Sequence, residues 1–316
     1  MITITNLVKR FGDRVAVDDL SVEIGQEVFT FLGPNGAGKT TVVNMLCGLL
    51  QRDSGMISIS GLDPETTPGE VRSKIGLVPQ ETALYEYLTA RENLDFHAKF
   101  YGVPGGQVKQ RIQDALELVQ LTERADDRVS TYSGGMKRRL ALVRALLHDP
   151  EVLILDEPTL GIDVQNRNEI WNRIQELKEE KTILITTNYM DEADRLSDRC
   201  LVMAEGKLIA LDTPANLKLK HAGGIRVEAY ITADQKIVKA LIEKLKQIAP
   251  EARYADTEMK GEFNFVLPAR GQANELLTEV SRIFREFPQV NILDLSLRVP
   301  TLDDVFLELT GSHLRD

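Results

Sequence analysis

Residues 33–41 read GPNGAGKTT, and residues 33–40 match the pattern G-x-x-x-x-G-K-[ST] in full. The apolar run EVFTFLG leads into them and KTTVVNMLCGLL follows, so a strand, a glycine-rich turn and a helix come in that order. Glycine lets a backbone approach a ligand closely, and the start of a helix presents unpaired N–H groups with the positive end of its dipole. The N–H groups of Gly36, Gly38 and Lys39 are therefore expected to cradle phosphate. Lys39 is expected to reach the β- and γ-phosphates and Thr40 to ligate Mg2+. Few motifs constrain a chain as much: this one requires strand–loop–helix geometry and predicts binding of ATP or GTP.

Composition adds exclusions. A chain of 316 residues accommodates one large α/β domain and a smaller one. Its formal net charge of −10 argues against nucleic acid as a partner, since such binding needs a basic face. The two cysteines, Cys47 and Cys200, sit inside apolar patterns without metal-type spacing and read as small buried hydrophobes in a reducing cytosol. The start MITITNLVKRFG alternates and carries charge where a signal peptide has a continuous apolar core. Apolar runs such as VLIL fall far short of the roughly 20 residues needed to span a bilayer. No direct membrane insertion is expected, and any membrane role has to come through a partner.

Along the chain, residues 1 to about 60 alternate apolar and polar as short strands, several of them antiparallel. Residues 89–148 turn helical, with Ile112, Leu116 and Val119 spaced along one amphipathic face. The runs EVLILDEP and KTILITTN, separated by the helical VQNRNEIWNRIQELKEE, imply parallel strands in a buried sheet. The pattern breaks near KLKHAGGIR, which sets the expected domains at 1–220 and 221–316. The second reads strand, helix, strand, strand, helix, strand, a small α+β ferredoxin-like order, before the short amphipathic helix TLDDVFLELTG.

Two further stretches carry chemistry. VLILDEPTLGID is an apolar strand that ends in two carboxylates. Asp156 is suited to holding Mg2+, and Glu157 to polarising an attacking water as general base. Gln80, in IGLVPQE, also ends an apolar strand, where a neutral amide can touch both metal and water; on its own it reads equally as a surface glutamine. The stretch TYSGGMKRRL then raises a question. Ser133, Gly134 and Gly135 precede a basic helix and look like a second phosphate site, although taken alone the stretch fits an ordinary helix N-cap better.

Taken together, GPNGAGKTT, Gln80, YSGGMKRRLALVRALL, VLILDEPT, LGID and TTNYMDEAD follow the order and spacing of an ATP-binding-cassette (ABC) ATPase, which the chain resembles over about residues 1–220. YSGGMKRRL and the C-terminal PTLDDVFLELTG resemble the ATP-binding subunits of drug, sodium or polysaccharide exporters of the daunorubicin-resistance type. The resemblance implies a P-loop fold with a parallel core sheet, an antiparallel β subdomain and a helical subdomain. It implies a head-to-tail homodimer in which each ATP lies between the phosphate loop of one subunit (Gly33, Pro34, Asn35, Gly36, Ala37, Gly38, Lys39, Thr40, Thr41) and Ser133, Gly134 and Gly135 of the other. The second phosphate site is then half of a composite one.

Other roles come with the same resemblance. Phe11 stands where an aromatic stacks on adenine, although a core phenylalanine fits the local pattern too. Asp163 matches an acid that links the subunits, and it fits a helix N-cap as well. The residue after TT in TTNYMDEAD, usually a histidine that touches the γ-phosphate, is Asn188 here. Its amide still donates a hydrogen bond but never becomes cationic. The implied setting is the cytoplasmic face of a cell membrane, with ATP and Mg2+ bound and separate transmembrane permease subunits as partners.

Two other classes compete. A cassette protein of translation or DNA repair usually carries two cassettes or a long coiled coil, and neither is present. A phosphate-loop kinase or GTPase lacks the Ser-Gly-Gly signature, and this chain has no Asn-Lys-x-Asp stretch.

Overall fold

A computed structural model describes residues 1–222, 224–257, 259, 261–269 and 273–311. The chain divides into two compact units, Met1–Pro214 and one that begins at Ala215.

The first unit opens with strands β1 (Ile2–Phe11), β2 (Arg14–Ile24) and β3 (Val28–Leu32), then helix α1 (Lys39–Leu46), strand β4 (Ser54–Ile59), helix α2 (Pro68–Lys74) and strand β5 (Ile75–Val78). Three helices follow, α3 (Ala90–Phe100), α4 (Gly105–Leu118) and α5 (Gly134–Leu146). The unit closes with β6 (Val152–Asp156), α6 (Val164–Leu177), β7 (Thr182–Thr187), α7 (Met190–Leu196), β8 (Arg199–Ala204) and β9 (Lys207–Asp212).

Three layers result from these patterns. Strands β2, β1 and β4 form an antiparallel sheet in that order, and their alternation buries Ile2, Ile4, Leu20 and Ile59. A six-stranded sheet runs β5-β6-β7-β3-β8-β9, parallel except for β9. Every residue of β3, β6 and β7 is buried, as expected where helices cover both faces of a parallel sheet. Helices α3, α4 and α5 share a separate core that includes Leu94, Ile112, Leu116, Val119, Leu140 and Val143. The start of α3 is a capping box: Thr89 Oγ1 accepts from Glu92 N at 3.1 Å, and Glu92 Oε2 accepts from Thr89 N at 2.7 Å.

The break after Pro214 precedes the expected one at residue 220, so α8 (Pro214–His221) goes almost whole with the second unit. Pro214 opens this helix, a position that suits a residue with fixed φ and no N–H. Then come β10 (Arg226–Thr232), α9 (Gln235–Ile248), β11 (Arg253–Asp256), β12 (Glu262–Pro268), α10 (Ala273–Arg285), β13 (Asn291–Arg298) and α11 (Leu302–Thr310). Their sheet is antiparallel in the order β11-β12-β10-β13, the split-βαβ topology expected from the sequence. Val227, Ala229 and Ile231 of β10 share a core with Val238, Leu241 and Leu245 of α9.

This order gathers one set of strand ends. Gln80 follows β5, Glu157 follows β6, Asn188 follows β7 and the phosphate loop follows β3, on four adjacent parallel strands. Open α/β sheets bind ligands in the crevice at these carboxyl ends.

Candidate functional site

The loop between β3 and α1 is wrapped closely. Gly38 has a φ of 105°, in the left-handed region, and a Cβ there would lie 2.3 Å from Ala16 O. A Cβ on Gly33 would lie 2.1 Å from Met203 O. Only glycine passes at both points. Gly33 N donates to Thr187 O (3.3 Å), and Ala37 O accepts from Gly206 N (3.1 Å), so the end of β7 and the turn between β8 and β9 hold the loop. Lys39 is buried, with its Nζ donating to Gly33 O at 2.7 Å and to Pro34 O at 3.0 Å. Burial pulls its pKa down, while Glu157 and Asp156 act to raise it.

Above the loop opens a cavity of about 520 Å3, within the usual range for small-molecule sites of about 300–1,000 Å3. Asn35, Gly36, Gly38, Lys39, Thr40 and Thr41 line one side, and Gln80 and Glu157 line another. Phe11 completes it, 51% exposed and therefore no core residue. Lys9 Nζ stands 5.4 Å from the centre of its ring. Arg14 also lines the cavity and its Nη2 donates to Gly36 O at 3.1 Å. Nothing in the local sequence singles Arg14 out; it reaches the loop only because β2 packs beside it.

At the strand ends, Thr40 Oγ1 and Asp156 Oδ1 are 3.4 Å apart. The same carboxylate oxygen accepts from Thr186 Oγ1, a buried threonine that sequence reading passed over as part of an apolar strand. Hydroxyl, carboxylate and the Gln80 amide are all oxygen donors, which suits a hard cation such as Mg2+. Glu157 has a φ of 48°, and its N–H donates to Thr186 O at 2.9 Å. Its Oε2 accepts from Gln80 Nε2 at 3.1 Å, so base candidate and amide already touch. Burial pushes the Glu157 carboxyl above the usual range, against the opposing pull of Lys39. A carboxylate with a raised pKa is a better proton acceptor.

The remaining candidates lie outside this cavity's lining. Ser133 caps α5, its Oγ accepting from Met136 N at 3.3 Å, and both Ser133 and Gly134 are exposed. Gly135 is buried against Asn166, whose side chain would meet a Cβ at 2.7 Å. Asp163 caps α6, accepting from Asn166 N at 3.1 Å. Asn188 follows Thr187, whose carbonyl holds Gly33 N, and its Oδ1 is buried without a hydrogen-bond partner.

One acid was missed entirely. Glu192 in TTNYMDEAD is fully buried, and its Oε1 accepts from Thr159 Oγ1 at 2.8 Å and Trp171 Nε1 at 2.9 Å. It ties the segment after Glu157 to α6, and burial raises its pKa. The alternation of apolar and polar residues on α7 gives no hint of this.

Residues 17–160 match the family model described as ABC transporter. The chain is 37% identical to the linearmycin resistance ATP-binding protein of Bacillus subtilis, over 100% of both chains. It is 39% identical to a daunorubicin resistance ATP-binding protein of Streptomyces coeruleorubidus, over 96% of this chain and 92% of that one. Among solved structures it resembles a dimeric ATP-binding cassette in a post-hydrolysis state with ADP and Pi, with a TM-score of 0.61 and 25% identity, covering 67% of this chain and 98% of that chain. With this full-length similarity and the phosphate loop at the ends of a parallel sheet, the chain belongs to the ABC transporter family, as one of its ATP-binding ATPase subunits.

Proposed function

We propose that this chain powers export through separate transmembrane permease subunits, from the cytoplasmic face of the membrane, by binding two ATP and Mg2+ in a head-to-tail homodimer. The observation that carries the reading is the contact between Gln80 Nε2 and Glu157 Oε2, 3.1 Å apart, with both residues lining the phosphate-loop cavity. Lys39 and the loop N–H groups would bind the phosphates, Phe11 would stack on the base, and Thr40, Asp156 and Gln80 would hold the metal. A bound Mg2+ would supply positive charge against the phosphates. Glu157 takes the proton from water, and Gln80 orients both. Ser133, Gly134 and Gly135 lie off their own chain's cavity, which supports their use by a second copy. Asp163 then has a second task beside capping α6.

Export is favoured over a translation or repair role by the resistance proteins that share the chain's full length. Among the described residues no helix is long and apolar enough to cross a membrane, so transport requires a membrane partner. Near Gln80, exposed Tyr85, Phe96 and Phe100 form an aromatic cluster, with Tyr85 and Phe96 ring centres 5.2 Å apart. We assign permease docking to this patch. Tagged chain drawn from detergent-solubilised membranes is expected to carry a multi-span membrane protein, and Phe100→Asp to lose it while the isolated chain keeps its ATP turnover. Recovery with ribosomes instead would favour the translation reading.

For Asn188 we assign one hydrogen bond to the γ-phosphate. Its Oδ1 lacks a partner, so turning the amide over sacrifices no bond of that oxygen. A hydrogen bond to a charged group contributes about 1.5–3 kcal/mol, so Asn188→Ala is expected to lower turnover roughly 10- to 100-fold. Asn188→His is expected to be active with a new pH dependence near the imidazole value of about 6.5. If Asn188→Ala melts lower yet hydrolyses ATP like the parent, the residue only stabilises the fold.

A further inference from the structure

Helix α5, which Ser133 caps, sends one side chain back to the strand ends. Arg138 is 5% exposed. Its guanidinium carries five N–H groups in a planar fork and no acceptor. Backbone carbonyls take all five. Nε donates to Pro158 O at 2.7 Å, Nη1 to Pro79 O at 2.6 Å and Gln80 O at 3.1 Å, and Nη2 to Asp156 O at 2.7 Å and Glu157 O at 2.8 Å. These carbonyls belong to two separate segments, the one that leaves β5 and the one that leaves β6. Burial pulls the Arg138 pKa down to about 10, opposed by Glu192, Asp156 and Glu157, so the side chain stays a cation at neutral pH.

The fork bears directly on the catalytic geometry. Glu157 sits at a φ of 48°, which a residue other than glycine keeps only when its surroundings over-determine it. Thr186 O holds its N–H and Arg138 holds its carbonyl. Because Arg138 also holds the carbonyl of Gln80, the side-chain contact between Gln80 and Glu157 rests on a shared anchor.

We propose that Arg138 is a positioning residue: its guanidinium joins Gln80, Glu157 and the helix that Ser133 caps into one unit, so that movement of this helix re-aims the amide and the carboxylate together. The inference rests on the reading of Glu157 and Gln80 given above. A lysine has three donors on a single point and cannot span two segments. The neighbouring Arg139 provides the control, since it pairs with Glu169 on α6 at 2.5 Å and takes no part in the fork.

The test uses the full chain. Arg138→Lys is expected to bind ATP within about threefold of the parent and to lose about 10- to 100-fold in turnover at saturating ATP, as a misplacement of the order of 1 Å does. Arg139→Lys is expected to stay near parental turnover. In the Glu157→Gln background, where no base remains to be aimed, Arg138→Lys is expected to add no further loss. Arg138→Gln, which leaves no unpaired buried charge, is the second variant should the lysine not fold, with the same expectations. Three results overturn the proposal: parental turnover in the Arg138 variants, parallel loss of ATP affinity and turnover, or an equal further loss in the Glu157→Gln background. Glu157→Gln at parental turnover would refute the base assignment and the positioning role with it. Parental turnover in Arg138→Lys beside an inactive Glu157→Gln refutes the positioning role alone.

Discussion

Glu157→Gln is expected to bind ATP at least as well as the parent chain and to hydrolyse it about 100- to 10,000-fold more slowly, the range that a positioned general base contributes. The substitution keeps shape and most contacts. The amide oxygen can still accept from Gln80 Nε2, and the backbone N–H keeps its bond to Thr186 O. What disappears is the proton acceptor. A negative charge beside the phosphates disappears with it, which relieves repulsion toward ATP and leaves the loop and Lys39 to bind. If ATP completes the interface between two copies, blocked hydrolysis should trap the closed state, so the ATP-loaded variant should elute as a dimer. Phosphate release, ATP titration and size exclusion measure the three quantities. A variant that stays monomeric and hydrolyses at the parental rate would remove Glu157 from the mechanism.

The second large effect separates contact within a chain from contact across the dimer. Lys39→Ala leaves the phosphate loop without its cation, and Ser133→Arg places a bulky group at the exposed cap of α5. Each variant alone is expected to be inactive. Mixed, they are expected to form heterodimers in which, on the proposed head-to-tail arrangement, one site joins the intact loop of one chain to the intact Ser133 of the other, while the opposite site is broken twice. Random pairing in equal amounts makes half the dimers mixed, each with one of two sites working, so roughly a quarter of parental turnover should return. No recovery despite demonstrated heterodimers would mean that Ser133 acts within its own chain or outside the reaction.

Much of this was legible locally. GPNGAGKT needs a strand before it and a helix after it, and β3 and α1 flank it. The strand patterns in RVEAYI, ARYADTE, EFNFVLP and VNILDLSLRV and the helical spacing in KIVKALIEKLKQI and ANELLTEVSRIFREF are enough to write the βαββαβ order of the second unit. Its sheet order follows because split-βαβ units leave few alternatives. These features are short-range: a period of 2 or 3.6, a turn residue, a cap.

The site resisted where side chains meet from distant segments. Phe11 took its adenine role from the resemblance while the local pattern also fitted a core phenylalanine, and its exposure at the cavity depends on how β1 and β2 stand beside the loop. Arg14, Thr186 and Glu192 carry no local mark, because what makes them notable is a partner far away in the chain.

Sequence by itself determined the phosphate loop, the acids at the end of β6, the parallel strands and the second βαββαβ unit, since each is written in the period and chemistry of neighbouring residues. Tertiary structure alone decided that Arg138, one cation in the basic run MKRRL, turns inward to five carbonyls up to 59 residues away. A buried guanidinium is tolerable only where every N–H finds an acceptor, and only the packed sheet brings the ends of β5 and β6 to one place where five acceptors wait.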